Sequence, residues 1–174
     1  MRRISRLIRD ICIFSMLGTL MFVSKILMEI APNIHLLGMF CMTYTIVYRA
    51  KALIPIYVYV FLNGLYAGFD VWWIPYLYIW ALLWAVTMLL PKNMKPAAAK
   101  VVYPIVCCLH GALFGVLYAP AQAIMFGYSA EMTLSWIIAG IPFDILHAAG
   151  DLAAGLLVFP LSQLLAKLER RSAV

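Results

Sequence analysis

The chain has 174 residues, of which 66% are apolar and only 11% are Asp, Glu, Lys or Arg. A soluble domain has about 25% charged residues, so this composition excludes a soluble globular protein and indicates an integral membrane protein. The net charge of +6 does not indicate a nucleic-acid partner, because the basic residues stand in short groups between long apolar stretches, which is the pattern of membrane topology.

Twelve of the thirteen basic residues form four such groups: Arg2, Arg3, Arg6 and Arg9; Arg49 and Lys51; Lys92, Lys95 and Lys100; Lys167, Arg170 and Arg171. Each apolar stretch between groups is long enough for two membrane spans, which return the chain to the same side. The positive-inside rule then places all four groups and both termini in the cytoplasm. We expect a multi-pass protein of a bacterial-type plasma membrane.

We predict one all-α domain over residues 1–174, a compact bundle of six transmembrane helices with both termini cytoplasmic. The spans cover approximately residues 7–30, 36–48, 52–69, 71–90, 100–120 and 142–164. Residues 120–140 allow two paths. We expect an extended end of the fifth span and a helical outer loop through Trp136, because a further full crossing would carry the C-terminal basic group outside.

The first span contains Ser15, Gly18 and Thr19, a stripe of small residues of the kind that lets another helix approach closely. It also contains Lys25, the one basic residue outside the four groups, with Glu29 one turn later. An i,i+4 pair of opposite charges can neutralise itself. Lys25 and Glu29 are therefore interpreted either as an internal ion pair or as ligand contacts.

Polar and aromatic residues mark the outward half of the next spans. His35 stands in the outer connection, and Asn63 is the one strongly polar residue inside the third span. In the fourth span, Trp73, Trp80 and Trp84 fall at i, i+7 and i+11, along one stripe of a helix. Anchoring at the membrane interface can explain Trp73, but it explains Trp80 and Trp84 less well, because they lie deeper in the span. Such a stripe is more often core, but it can also stack a flat or cationic ligand.

Three ionisable residues share one face of the last span, because Asp144, His147 and Asp151 are spaced i, i+3 and i+7. Each costs about 2.5–3.5 kcal/mol on insertion scales, and such residues usually mark a substrate or ion path. The alternative is a polar seam that only joins helices. With the other outward residues, they predict an outward-facing intramembrane pocket with aromatic walls. The four cysteines have no metal-ligand spacing, and no cofactor is expected.

Residues 139–151, AGIPFDILHAAGD, resemble a pattern that opens the last helix in many substrate-binding S components of energy-coupling factor (ECF) vitamin transporters. That pattern is Gly-(Ile/Leu)-Pro-Phe-Asp-x-x-His-x-x-Gly-Asn. The resemblance implies a non-catalytic transport subunit that binds a vitamin or vitamin precursor. It would dock on a transmembrane T component carrying two ABC ATPases and topple in the bilayer to deliver its ligand. The chain itself has no Gly-x-x-x-x-Gly-Lys-Ser/Thr loop for ATP.

The chain departs from the family pattern at two places. Asp151 replaces the final Asn, which allows a ligand of different charge. The family's Ala-x-x-x-Ala docking motif on helix 1 has its nearest match in Ser15 and Thr19, with Gly18 between them. The Trp stripe and the aspartates favour a flat heteroaromatic ligand, and the aspartates would suit a positive charge on it.

Three other functions stay open from the residues alone. An intramembrane enzyme would use His147 with Asp144 or Asp151 as a base and its orienting partner. A metal site would use His110, His147 and the aspartates, although their spacing is not diagnostic. A small Trp-rich sensor or scaffold needs neither. An enzyme should turn over in isolation, whereas an S component should bind its ligand alone and transport it only with its partners.

Overall fold

Nearly continuous apolar sequence favours helices, because backbone polar groups that face lipid must be satisfied within the chain. The computed structural model describes residues 2–31 and 33–172, and the regular structure there is entirely helical. The α-helices are α1 (Arg2–Leu27), α2 (Leu37–Tyr48), α3 (Leu53–Ala67), α4 (Tyr76–Leu89), α5 (Pro96–Ala112), α6 (Phe114–Phe126), α7 (Ala130–Gly155) and α8 (Val158–Ser172). Short 3₁₀ turns, Arg49–Ala52 and Val71–Trp73, precede α3 and α4.

Five segments of the described chain are long and apolar enough to cross a membrane. They are Leu7–Leu27, Leu37–Ala67, Val71–Leu89, Pro96–Phe126 and Ala130–Gly155. The prediction of an all-α chain is therefore confirmed, and the five apolar segments are of the kind that crosses a membrane, whereas the sequence predicts six spans.

The segment Leu37–Ala67 reverses direction at Arg49, which has a φ of 55°. A non-glycine residue rarely adopts a positive φ, and here two hydrogen bonds to α4 hold it. The Arg49 guanidinium donates to the carbonyl of Met88 at 2.7 Å, and the Trp84 indole donates to the carbonyl of Arg49 at 3.1 Å. The basic group at 49–51 thus marks a helix break, as the sequence predicts.

Side-chain contacts fix the directions of these helices. Cys41 contacts the carbonyl of Trp80 at 3.6 Å, and Arg49, eight residues later, contacts Met88, eight residues after Trp80. Helices α2 and α4 are therefore parallel. Tyr57 donates to the carbonyl of Leu77 at 2.7 Å, which lies near the opposite end of α4. Helix α3 is therefore antiparallel to both α2 and α4.

Helices α5 and α6 pack antiparallel to α7 through glycines. A Cβ on Gly155 would lie 2.6 Å from the Cα of Pro104, and one on Gly111 would lie 2.9 Å from the carbonyl oxygen of His147. Only glycine permits these approaches. At one end of the bundle, Arg9 of α1 donates to Glu169 of α8 at 3.0 Å, so the start of α1 and the end of α8 meet.

The last predicted span differs from the structure in its bounds. The sequence predicts one helix over residues 142–164, whereas α7 begins at Ala130, continues through Pro142 and ends at Gly155. The chain breaks earlier, at Gly127, whose φ is 66°, and Ser129 then caps α7 by accepting a hydrogen bond from the Met132 amide. The fifth predicted span, 100–120, likewise extends over α5 and α6 to Phe126.

Candidate ligand-binding site

Three ionisable side chains meet near the N-terminal end of α2. His35 comes from the connection before α2, while His147 and Asp151 are one turn apart on α7 and share a face. Nε2 of His147 lies 2.6 Å from Nε2 of His35, and Nδ1 of His35 lies 4.0 Å from Oδ1 of Asp151. His147 is 4% exposed and Asp151 1% exposed, so this group lies inside the bundle.

Two glycines on neighbouring helices leave space for the Asp151 carboxylate, because they have no side chain at that position. A Cβ on Gly38 of α2 would lie 3.2 Å from both of its oxygens, and one on Gly111 of α5 would lie 3.0 Å from Oδ2. Neither oxygen has a hydrogen-bond partner in the part of the chain that the structure describes. A buried carboxylate is stable only with a proton, a cation or donor groups beside it.

Burial lowers the pKa of His35 well below its usual range, and the nearby His147 and His110 act in the same direction. Nδ1 of His35 also has no hydrogen-bond partner. The ring therefore offers an uncommitted nitrogen toward Asp151.

Aromatic rings surround the ionisable group, with the fully buried Trp80 at their centre. Ring centroids lie 5.9 Å from Trp80 for His35, 6.1 Å for Tyr59, 6.1 Å for the stacked Tyr76, 5.5 Å for His110 and 6.0 Å for Phe114. Phe114 is also 4.5 Å from His147. We call His35, Tyr59, Trp80, His110, Phe114, His147 and Asp151 the polar–aromatic cluster.

Unpaired polar atoms are concentrated in this cluster. Within the cluster, besides His35 and Asp151, three more buried atoms have no partner among the described residues: Nε1 of Trp80, the hydroxyl of Tyr59 and Nδ1 of His110. Asn63, one turn after Tyr59 on α3, adds its unpaired Oδ1. Native proteins leave few buried polar groups unpaired, so several such groups in one place need a physical explanation. Such a concentration is typical of a site that a ligand completes.

The three tryptophans of the predicted stripe have different surroundings. The indole of Trp73 donates to the carbonyl of Val60 at 2.8 Å, and that of Trp84 donates to the carbonyl of Arg49 at 3.1 Å. These two residues tie α4 and its preceding turn to α3 and to the Arg49 turn. Only Trp80 lies in the cluster, and its N–H is free to bind a ligand.

Lys25 and Glu29 pair with each other at the end of α1, and the Lys25 ammonium lies 5.9 Å from the centre of the Tyr66 ring. Of the two interpretations that the sequence leaves open, the structure shows the ion pair. Asp144 accepts a hydrogen bond from the Gly115 amide at 3.0 Å. It joins α7 to α6 and is separate from the His35–His147–Asp151 group.

The small-residue stripe of α1 is divided between two surfaces. Gly18 is buried against α3, where an added Cβ would lie 2.6 Å from Val58 and 2.8 Å from the carbonyl of Pro55. Ser15 and Thr19 are exposed, and the Thr19 hydroxyl donates to the Ser15 carbonyl. Gly18 therefore serves packing inside the chain, and only Ser15 and Thr19 are available to another protein.

Several members of the cluster have no distinguishing signal in the sequence. Tyr59 and Phe114 are two of many aromatic residues in the spans, and Gly38 is an isolated glycine in an apolar helix. His110 differs from these, because it is one of three histidines in the chain and the sequence already suggests it as a candidate metal ligand.

No family model, no curated protein and no solved structure matches this chain. What the chain does is therefore inferred from the cluster and from residues 139–151.

Proposed function

We propose that this chain is the substrate-binding subunit of an ECF-type importer and that it binds a small heteroaromatic molecule in the polar–aromatic cluster. The observation that carries the proposal is the set of unpaired buried polar atoms around Trp80. Leaving one such atom unpaired costs about 1–3 kcal/mol. Several unpaired buried atoms in one place are therefore expected where the residues serve binding rather than stability.

The chemistry of the cluster favours a flat, polar ligand. The Trp80 N–H and the Tyr59 hydroxyl can donate hydrogen bonds, while Asp151 and Asn63 can accept them. The rings of Tyr76, Trp80 and Phe114 supply apolar surface on which a heteroaromatic ring stacks. This combination of aromatic walls with a few convergent polar groups is usual for small-molecule sites.

The proposed topology has six crossings, with α2 and α3 as two short ones and with α5–α6 and α7–α8 as two kinked ones. Helix α2 has 12 residues, or about 18 Å at 1.5 Å per residue, less than the ~30 Å hydrocarbon core. The meeting of Arg9 with Glu169 supports a common side for both chain ends. The basic residues near these ends assign that side to the cytoplasm of a plasma membrane.

The proposed partners are a transmembrane T component and two ABC ATPases, with Ser15 and Thr19 on the docking surface of α1. These residues are exposed on a helix whose other face packs on α3. The chain adds a binding site, while the partners add ATP hydrolysis. By this proposal the chain is not an enzyme.

The ligand test is calorimetric titration of the purified chain with a panel of vitamins and vitamin precursors. We expect one heteroaromatic compound to bind, and we expect His147→Ala to weaken its affinity at least tenfold, because His147 lies among the unpaired groups. Trp73→Phe is the matched control, since its indole is occupied by Val60. If no compound of the panel binds, or if Trp73→Phe loses as much affinity as His147→Ala, the proposed site is contradicted.

A further inference from the structure

We infer that His35, His147 and Asp151 form a binding site for a divalent transition-metal ion of the zinc type. Each residue offers one ligand atom, and these atoms all lie within 4.8 Å of one another. Two imidazole nitrogens and one carboxylate oxygen are the protein ligands of many zinc sites that keep a fourth position open. This inference rests on the cluster being a binding site, as proposed above, but not on the identity of the transport partners.

The distances suit one ion after small side-chain movements. His35 Nδ1 and Asp151 Oδ1 are 4.0 Å apart, longer than the roughly 3.3–3.6 Å between two ligands on a tetrahedral ion with bonds of about 2.0–2.2 Å, so these two side chains must approach each other. The other nitrogen of the His35 ring, Nε2, lies 2.6 Å from Nε2 of His147, so the ring must turn before one of its nitrogens can share an ion with both His147 and Asp151. One imidazole must therefore turn away from the other when an ion enters, and the hydrogen bond between them is replaced by metal coordination.

The charge of Asp151 also favours a cation at this position. Both carboxylate oxygens are buried without a partner. Among the described ion pairs, the one basic residue that approaches Asp151 is His35, whereas the Lys25 ammonium pairs with Glu29. A bare carboxylate in the membrane interior is costly, and a divalent ion neutralises it while satisfying the free nitrogen of His35.

A surface groove reaches one of these ligands, His35. The groove runs between the connection before α2 and the C-terminal half of α7, and Met28, Ile34, His35, Leu146 and Gly150 contribute to its lining. His35 thus lies at the groove as well as in the cluster. A metal site needs such an entry path in addition to its ligands. Tyr59 and Trp80 are not among the proposed metal ligands.

The test is metal content of the detergent-purified chain. The protein is stripped with a chelator, incubated with Zn²⁺, freed of unbound metal by gel filtration and analysed by mass spectrometry for zinc per chain. We expect about one ion per wild-type chain and less than a fifth of that in Asp151→Asn and in His147→Gln. Asp144→Asn is the matched control on the same helix, because its amide oxygen can still accept from Gly115, and it should retain wild-type zinc.

A second measurement does not depend on how well a variant folds. Co²⁺ bound to the stripped wild-type chain should give the visible absorption of a nitrogen- and oxygen-ligated ion, and Zn²⁺ should displace it and raise the unfolding temperature. Wild-type protein without zinc or cobalt binding would overturn the metal site, as would equal zinc in all variants. An organic ligand that binds the metal-free chain with full affinity, with no zinc uptake, would overturn this inference and leave the proposed function intact.

Discussion

Replacing Trp80 by Phe should have little effect on stability, although Trp80 is fully buried. The Trp80 N–H has no partner, so the substitution removes an unpaired buried donor, which relieves roughly 1–3 kcal/mol. The smaller ring leaves a void whose cost offsets part of this gain. Trp73→Phe is the comparison, because it loses the hydrogen bond to the Val60 carbonyl at 2.8 Å, worth about 0.5–1.5 kcal/mol, and loses the same ring volume.

The hydrogen-bond contributions alone make Trp80→Phe more stable than Trp73→Phe by about 1.5 kcal/mol or more in the free energy of unfolding. The void at the fully buried Trp80 reduces this difference, because Trp73 is partly exposed. The assay is denaturant unfolding of both purified variants and the wild type in the same detergent, followed by circular dichroism. The order Trp73→Phe more stable than Trp80→Phe would refute the reasoning. It would mean that the Trp80 indole already has a partner and is an ordinary core residue, and the case for a ligand around it would lose its main support.

The remaining predictions concern packing and pairing. Gly18→Leu should destabilise the fold by about 1–3 kcal/mol, because its side chain would displace Val58, whereas the exposed Ser15→Leu should leave the unfolding temperature unchanged. Removing the Lys25 and Glu29 charges together should change stability by less than about 1 kcal/mol, as for other exposed pairs, and should leave ligand affinity as in the wild type. Denaturant unfolding measures the stability changes, and calorimetry measures the ligand affinity. A Gly18→Leu variant as stable as the wild type would contradict the packing role of Gly18. Loss of ligand binding in the Lys25/Glu29 double variant would contradict the ion-pair interpretation.

The sequence predicted the parts of the fold that depend on charge and hydropathy. The basic group at Arg49 marks a reversal of the chain, and that reversal is where α2 ends. The break after Gly155 was not predicted, although Gly155 and Pro160, in the first turn of α8, are the residue types that mark the end of one helix and the start of the next. Proline at position 142 suggested a helix start, but α7 begins at its Ser129 cap, about three and a half turns earlier, and passes through Pro142.

The candidate site was predicted in part. Helical spacing placed His147 and Asp151 on one face, and the structure shows both in the cluster. Spacing could not show that His35, which is distant in sequence, meets them, because that contact depends on how the connection before α2 folds over α7. Nor could it separate Trp80 from Trp73, whose indole is occupied by a backbone carbonyl of another helix.

The central claim, a binding subunit that works with an ECF module, is tested most directly by co-purification. The tagged chain is expressed with the T component and the two ATPases of the same organism, and the proteins that remain bound in mild detergent are identified and quantified. We expect a stoichiometric complex with the wild-type chain, and a loss of that complex with Ser15→Leu, whose side chain lies on the exposed face of α1. A chain that purifies alone while all subunits are well expressed would contradict the account.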